Sequence, residues 1–180
     1  MVKNSSALVG TIAQTACILI IVVTMIMVVR PVSVLAGVDE ATSAFSAGKL
    51  EIAKAEFRKL AEQGNPEAEF MLGVMYFQGR GFKQDRSIAA IWFHKAALKG
   101  HGGAQLAFGS VHIRGVGVYQ NLHQAYKWLA LATSSKSGKI SEQAKNLLKD
   151  AAQLMTPDEI RDAKEDAGTF KAISSGLTSS

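Results

Sequence analysis

Cysteine is almost absent from this chain of 180 residues, because Cys17 is the only one. It lies inside an apolar amino-terminal segment, so the rest of the chain contains no disulfide and must be held together by packing. Catalytic signatures are missing as well, since no Gly-x-Ser-x-Gly elbow occurs. Paired carboxylates such as Glu67 and Glu69 are most simply interpreted as solvated or first-turn positions of a helix. We therefore expect a protein that is not an enzyme and that uses no cofactor.

Charge is missing from the 26 residues between Lys3 and Arg30, which are densest in apolar side chains at 18–29. This composition is that of a targeting segment, and two interpretations stay open. A signal peptide cleaved after Ala36 needs a basic start, about 7–15 apolar residues and a small-residue cleavage site. An uncleaved anchor needs about 20 apolar residues. In both cases the folded part is expected in the bacterial periplasm or cell envelope, with membrane contact only through this segment.

The net charge of +5 falls to +3 when Lys3 and Arg30 are set aside. Residues 65–136 carry eight basic and three acidic side chains, whereas both flanks are slightly acidic. No basic run with interleaved aromatic residues accompanies this excess, so a solvated face explains it better than a nucleic-acid site. We expect no nucleic-acid partner.

The chain contains an internal repeat of 36 residues. The identical pairs are Ala68/Ala104, Gly73/Gly109, Gly79/Gly115, Gly81/Gly117, Gln84/Gln120, Ala89/Ala125, Trp92/Trp128 and Ala96/Ala132. The repeated Gly-x-Gly is not a phosphate loop, because the stretch before it, EAEFMLGVMYFQ, has helical rather than strand spacing. No Lys-Ser or Lys-Thr follows it either. The glycines therefore predict a bend between two helices.

Capping residues predict where each helix of this unit begins and ends. Asn65 is a favoured N-cap, and Pro66 suits the first helical position. Gly79 suits the left-handed residue that ends the first helix, and Asp85 caps the second, with Asn121 at the equivalent place. The unit is therefore an antiparallel helical hairpin, which must stack on neighbours to bury its apolar side.

At these residues the chain resembles the Sel1-like repeat family, which is related to the tetratricopeptide repeats. The first unit carries the family pattern in Ala68, Leu72–Gly73, Tyr76, GRGF, Asp85, Ala89, Trp92 and KAALKG. The second unit departs from it at Phe108, His112 and Asn121, where Leu, Tyr and Asp are usual. The resemblance implies an all-α fold, namely a short right-handed α-solenoid of stacked antiparallel helix hairpins, preceded by the apolar signal or anchor helix.

The domain boundaries follow from the repeat. The predicted segments are 1–36 (signal peptide or anchor), 37–64 (degenerate amino-terminal hairpin), 65–100 and 101–136 (the two repeats), 137–170 (carboxy-terminal capping helices) and 171–180 (disordered tail). In the capping helices, SSKSGK is expected to be a loop, and Thr156, Pro157 and Glu159 form a predicted capping box for the last helix.

The resemblance also implies a binding surface, because the first helix of each hairpin lines the concave face of such solenoids. The residues it places there, facing a protein or peptide partner, are Glu67, Phe70, Val74, Phe77, Gln78, Leu106, Ser110, Ile113 and Arg114. Arg114 is suited to bidentate pairing with a carboxylate. A competing interpretation makes the apolar stripe core against a neighbouring helix.

Two other functions stay open. The four histidines occur within 30 residues and suggest a metal-dependent binder or enzyme. These histidines are His94, His101, His112 and His123. No pair of them has the i, i+4 spacing or the cysteine partners of specific zinc sites. A purely structural spacer held near the membrane is the other alternative.

Overall fold

The structure, a computed structural model, describes residues 37–176, and this part of the chain is helical without a strand. The first described helix, α1, covers residues 37–46. The others are α2 (Leu50–Glu62), α3 (Pro66–Gln78), α4 (Arg86–Leu98), α5 (Gly102–Arg114), α6 (Leu122–Ala132), α7 (Gly138–Ala152) and α8 (Pro157–Gly176). The predicted signal or anchor segment lies outside the described residues. Within 37–176 no helix has the length and apolar character needed to cross a membrane.

Successive helices pack against one another from α2 to α6, which confirms the predicted stack of hairpins. Their buried side chains form two apolar clusters. The first joins α1, α2 and α3 around Phe57 and Leu72, and the second joins α4, α5 and α6 around Phe93, Phe108 and Trp128. The core is therefore distributed along an α-solenoid, with each hairpin completing the core of the previous one.

The ends of the first hairpin are closed as the sequence predicts. Asn65 Oδ1 accepts a hydrogen bond from the Ala68 N–H at 3.1 Å, and Gly79 ends α3 with a φ of +71°. Asp85 Oδ1 accepts from the Ile88 N–H at 2.9 Å and begins α4. The second hairpin repeats this at Gly115, with a φ of +63°, and at Asn121, which accepts from the Gln124 N–H at 2.9 Å.

Glycine allows the two helices of each hairpin to approach closely. A Cβ atom on Gly73 would lie 2.5 Å from Phe93 Cδ1 and 3.3 Å from a backbone oxygen of α4. On Gly109 it would lie 2.7 Å from Leu129 Cγ and 3.2 Å from a backbone oxygen of α6. The repeated glycines are therefore explained by packing between helices, without a ligand.

The carboxy-terminal helices α7 and α8 both have α6 as their main neighbour. On the α8 side, the rings of Phe170 and Trp128 have centroids 5.3 Å apart. Asp166 Oδ2 lies 3.0 Å from His123 Nε2 and 3.7 Å from Lys127 Nζ. α8 thus covers the side of α6 that the hairpins leave open.

Two predicted boundaries in this region are corrected. The SSKSGK loop ends earlier than predicted, because Gly138 already begins α7. α8 continues through 171–176, which were predicted as tail. Within this part of α8 the Ser174 hydroxyl donates to the Lys171 carbonyl. The Lys171 side chain reaches the loop after α6, where its Nζ donates to Ser134 Oγ at 3.3 Å. The capping box at the start of α8 is confirmed, with Glu159 Oε2 2.8 Å from the Thr156 nitrogen.

Candidate functional site

An apolar groove lies between α3 and α5, the first helices of the two hairpins, and we call it the α3–α5 groove. Its cavity measures 270 Å³. It is lined by Phe70, Val74, Phe77, Phe93, Ala107, Ser110, Val111, Arg114 and Val116. Only Ser110 and Arg114 bring polar side chains to this lining. The groove can therefore accept an apolar side chain and offers polar contacts in few places.

Helical spacing builds both walls of the groove. Phe70, Val74 and Phe77 follow one another at intervals of four and three residues, so they share one face of α3. Each of the three is half-buried. On the facing helix, Ser110 and Arg114 are four residues apart and share the corresponding face of α5. Five of the residues that the sequence placed on the concave face therefore come together at one cavity.

The floor of the groove comes from a residue that the sequence did not assign to it. Phe93 belongs to α4 and is only 4% exposed. Its ring centroid lies 5.8 Å from that of Phe70 and 6.2 Å from that of Phe77. The ring reaches this position because Gly73 leaves the space above it empty. The signal available in the sequence was Gly73, a small residue between the apolar positions Phe70 and Phe77.

The other predicted residues do not line this groove. Leu106 lies with Ser110 in a separate cavity of 340 Å³ against α7. Ile113 is half-buried and Gln78 is exposed, both outside the lining. The interpretation of the stripe as core therefore applies in part, because the groove residues of α3 are packed on one side and open on the other.

The end of the groove near Phe77 is positively charged. Arg114 is the last residue of α5, and the Arg86 guanidinium carbon lies 5.9 Å from the Phe77 ring centroid. Both arginines are exposed. Among residues 37–176, neither forms an ion pair with a carboxylate. Two guanidinium groups are therefore available at this end.

The end near Phe70 is closed by a histidine that acts as a helix cap. The His101 ring lies 4.7 Å from the Phe70 ring, and its Nδ1 accepts from the Ala104 N–H at 3.0 Å. Since Nδ1 accepts, the proton is on Nε2, which donates to Glu67 Oε2 at 2.8 Å. This bond lowers the pKa of Glu67 more than partial burial raises it. His101 takes the place in its repeat that Asn65 has in the first, a role that the sequence reasoning missed.

Family comparison identifies the two hairpins. Residues 66–101 and 104–137 each match the family model described as Sel1 repeat. Two segments of the chain thus match the Sel1 repeat, and we call them the first and second Sel1 repeats. Sel1 repeat proteins generally act as scaffolds for protein–protein interactions and bind protein partners.

Solved structures agree with this result. The chain resembles c5321, a protective antigen present in uropathogenic Escherichia coli strains that displays an SLR fold, with 27% identity and a TM-score of 0.69 over 76% of this chain. It also resembles a Sel1 repeat protein from Oxalobacter formigenes, with 29% identity and a TM-score of 0.55 over 60% of this chain. The matched regions span 29% and 44% of those two chains. No curated protein is significantly similar.

The first Sel1 repeat contains a buried carboxylate paired with an exposed lysine, which corrects the interpretation of Glu69 as solvated. Glu69 is 4% exposed, and its Oε1 lies 2.7 Å from Lys99 Nζ. Lys99 also donates to the Gly64 carbonyl at 2.9 Å. Among the described residues, Glu69 Oε2 has no hydrogen-bond partner. The lysine at the end of α4 makes this burial possible, because an unpaired carboxylate would be too costly there.

Two of the three remaining histidines, His94 and His112, lie around the aromatic core of the second Sel1 repeat. His94 stacks on Phe108 at 4.8 Å, and His112 meets the same ring edge-on at 4.7 Å. Burial lowers the pKa of both histidines. His123 pairs instead with Asp166 of α8. In the part of the chain that the structure describes, no three His, Cys, Asp or Glu side chains converge as a metal site would require.

Proposed function

We propose that this chain is a non-enzymatic scaffold or adaptor of the bacterial envelope, which binds a protein partner in the α3–α5 groove. The observation that supports this most is the groove itself. It is apolar and open, and it lies between the first helices of two successive Sel1 repeats. The uncharged segment between Lys3 and Arg30 supports export or anchoring.

The mechanism is rigid display of a preformed groove. Phe93 is held by the core from below, and the walls belong to helices whose ends are capped. A partner segment that enters the groove therefore orders little of the receptor, and less of the interaction energy is lost to ordering.

Partner capture from envelope extract by the full-length chain tests the groove. The variant Phe70→Ala with Phe77→Ala is expected to lose captured proteins that the wild type retains. Because these rings also pack on Phe93, a second variant, Ser110→Leu, fills the groove without removing a core side chain. Ile88→Ala with Ile91→Ala, at exposed positions of α4, is the matched control.

Circular dichroism and melting temperature are measured for each variant, so that loss of capture is separated from loss of fold. Capture that survives in both groove variants would contradict the groove as the binding site. For the envelope location, alkaline phosphatase fused after residue 180 is expected to be active, because that enzyme requires an oxidising compartment to form its disulfides. An inactive but intact fusion would contradict export.

A further inference from the structure

The charges around the α3–α5 groove allow the partner to be described more closely. We propose that the groove selects an internal segment of a protein in which a bulky apolar side chain and an aspartate or glutamate lie two residues apart. The apolar side chain enters between Phe70 and Phe77, and the carboxylate pairs with Arg114. This inference rests on the proposed function, and it specifies the partner's chemistry.

The argument begins with the acidic side chains of the two hairpins. Residues 65–136 contain only three of them, and each is already engaged. Glu67 accepts from His101, Glu69 pairs with Lys99, and Asp85 caps α4. None of these carboxylates neutralises the arginines at the Phe77 end. The acidic side chains elsewhere in residues 37–176 form no ion pair with Arg86 or Arg114 either, so the carboxylate for these arginines is assigned to a partner.

Arginine is well suited to this role. Its planar guanidinium group binds a carboxylate through two parallel hydrogen bonds, and such charge-assisted bonds are about twice as strong as neutral ones. Arg114 is the one charged side chain in the groove lining, so pairing there fixes how far along the groove the partner lies. Arg86, which lies over Phe77, adds positive charge at the same end.

The dimensions set the spacing of the partner's side chains. Phe70 and Phe77 are seven residues apart, which corresponds to about 10 Å along a helix. An extended chain advances about 3.3 Å per residue, and side chains two residues apart point to the same side. Arg114 is the repeat equivalent of Gln78, which lies four residues and about 6 Å beyond Val74 along the helix. An apolar residue above Val74 therefore directs the side chain two positions away towards Arg114.

The carboxylate is assigned to a side chain rather than to a chain end. Arg114 and Gly115 are both exposed, so the partner's backbone can continue beyond the pairing site. At the opposite end, Glu67 disfavours a second acidic residue, because its carboxylate is held in the charged form by His101. The groove is thus acidic near Phe70 and basic near Phe77, which gives the bound segment a direction.

Selection from a random peptide library on the full-length chain in detergent micelles tests this inference. Each random stretch has constant residues on both sides. The wild type is expected to enrich stretches with a bulky apolar residue and an acidic residue two positions away. For an enriched peptide, Arg114→Glu is expected to weaken binding by about tenfold to a hundredfold. Exchanging the peptide's acidic residue for lysine is expected to restore binding to this variant.

The matched control is Lys164→Glu, which makes the same charge change at an exposed position of α8 outside any ion pair in the described chain. It is expected to leave binding unchanged. Enriched peptides that lose binding with Ser110→Leu but not with Arg114→Glu would overturn this inference and leave the proposed function intact. A second library, in which the random stretch ends at the free carboxy terminus, is screened in parallel, and enrichment in that library alone would overturn the side-chain assignment. If every enriched peptide binds Ser110→Leu and the Phe70/Phe77 variant as well as it binds the wild type, both proposals are overturned.

Discussion

The two Sel1 repeats have the same backbone plan and solve the same packing problem with different side chains. Both end their first helix with a left-handed glycine and begin their second with an Asp or Asn cap. Both place a glycine where the helices cross. Elsewhere they diverge, because those positions face different neighbours. What the repeat preserves is the set of residues that the backbone geometry requires.

The divergence is clearest at the aromatic positions. In the first repeat Tyr76 stacks on Phe82 with ring centroids 4.0 Å apart, and Trp92 is half-buried. In the second repeat Trp128 is 3% exposed, because Phe108 and α8 enclose it. The equivalent tryptophans of the two repeats therefore have different environments, because an additional helix covers only Trp128.

A second difference concerns the buried polar residue of α3 and α5. The first repeat has Glu69 paired with Lys99, and the second has Gln105, whose Nε2 donates to the Ala97 carbonyl at 3.3 Å. Ser135 stands where the repeat would place the lysine. A charge is therefore present only where a cation accompanies it.

The largest expected effect comes from Gln105→Glu, which places a charge in the second repeat where no cation accompanies it. The new carboxylate would be buried without a cation, and we expect it to lower the free energy of unfolding by about 3 kcal/mol. Adding Ser135→Lys, which copies the pair of the first repeat, is expected to recover much of the loss. Urea unfolding measures both, with Gln143→Glu at an exposed position as control. Equal stability of Gln105→Glu and wild type would show that the site admits water.

The next effect concerns the glycines at the helix crossings. Gly73→Ala places a methyl group against the Phe93 ring, and we expect overpacking to cost about 1–3 kcal/mol at pH 7. Gly109→Ala is expected to cost less, because Leu129 adjusts its side chain more easily than a buried ring. Gly168→Ala, inside α8 with nothing within 4 Å, is expected to stabilise by about 0.5–1 kcal/mol. If all three alanines stabilise, the crossings are looser than the structure shows.

The helix caps provide a smaller contrast. Asn65→Ala is expected to cost about 1 kcal/mol of stability. His101→Ala is expected to cost at least as much, because it also removes the bond to Glu67. His101→Asn keeps a cap of the type in the first repeat, so it is expected to lie between His101→Ala and wild type in thermal unfolding. If His101→Asn is as unstable as His101→Ala, the contact with Glu67, and not the cap, accounts for the effect.

The smallest expected effect is a pH dependence that comes from the two histidines packed on Phe108, His94 of α4 and His112 of α5. Burial is the main cause that lowers the pKa of His94 and of His112 in the folded chain. The unfolded chain therefore binds protons first as the pH falls through about 6.5. The stability contributed by the neutral histidines is complete above that pH and is lost towards the lowered folded pKa values. Urea unfolding between pH 8 and 5 is expected to show a flatter profile for His94→Gln with His112→Tyr than for wild type. An unchanged profile would assign the dependence to other groups.

The hairpins were predictable from the sequence because local chemistry determines them. Asn65, Gly79 and Asp85 act on their own helix ends, and the 36-residue repeat of glycine and tryptophan indicates stacking. The groove was only partly predictable. Helical spacing placed Phe70, Val74 and Phe77 on one face, and the resemblance to tetratricopeptide-type solenoids suggested that this face opens towards a partner. The other features of the groove and its surroundings depend on contacts between residues that are far apart in the sequence.

Three residues illustrate why those distant contacts were missed. Glu69 is buried because Lys99, thirty positions later, reaches it. Phe93 enters the groove because Gly73 of another helix leaves space. His101 caps a helix although histidine is rarely chosen for that position. In each case the residue type alone suggests one environment, whereas the contacts made in the folded chain place the side chain in a different one.

The Phe170 ring over Trp128 affects how these molecules meet one another. A stack of hairpins is a one-dimensional lattice, and an apolar terminal face would let further copies add to it. α8 closes that face with a helix whose outer surface carries charge at Arg161, Asp162, Lys164 and Glu165. These exposed charges oppose the addition of a further copy on α8, whereas the α3–α5 groove stays apolar and open.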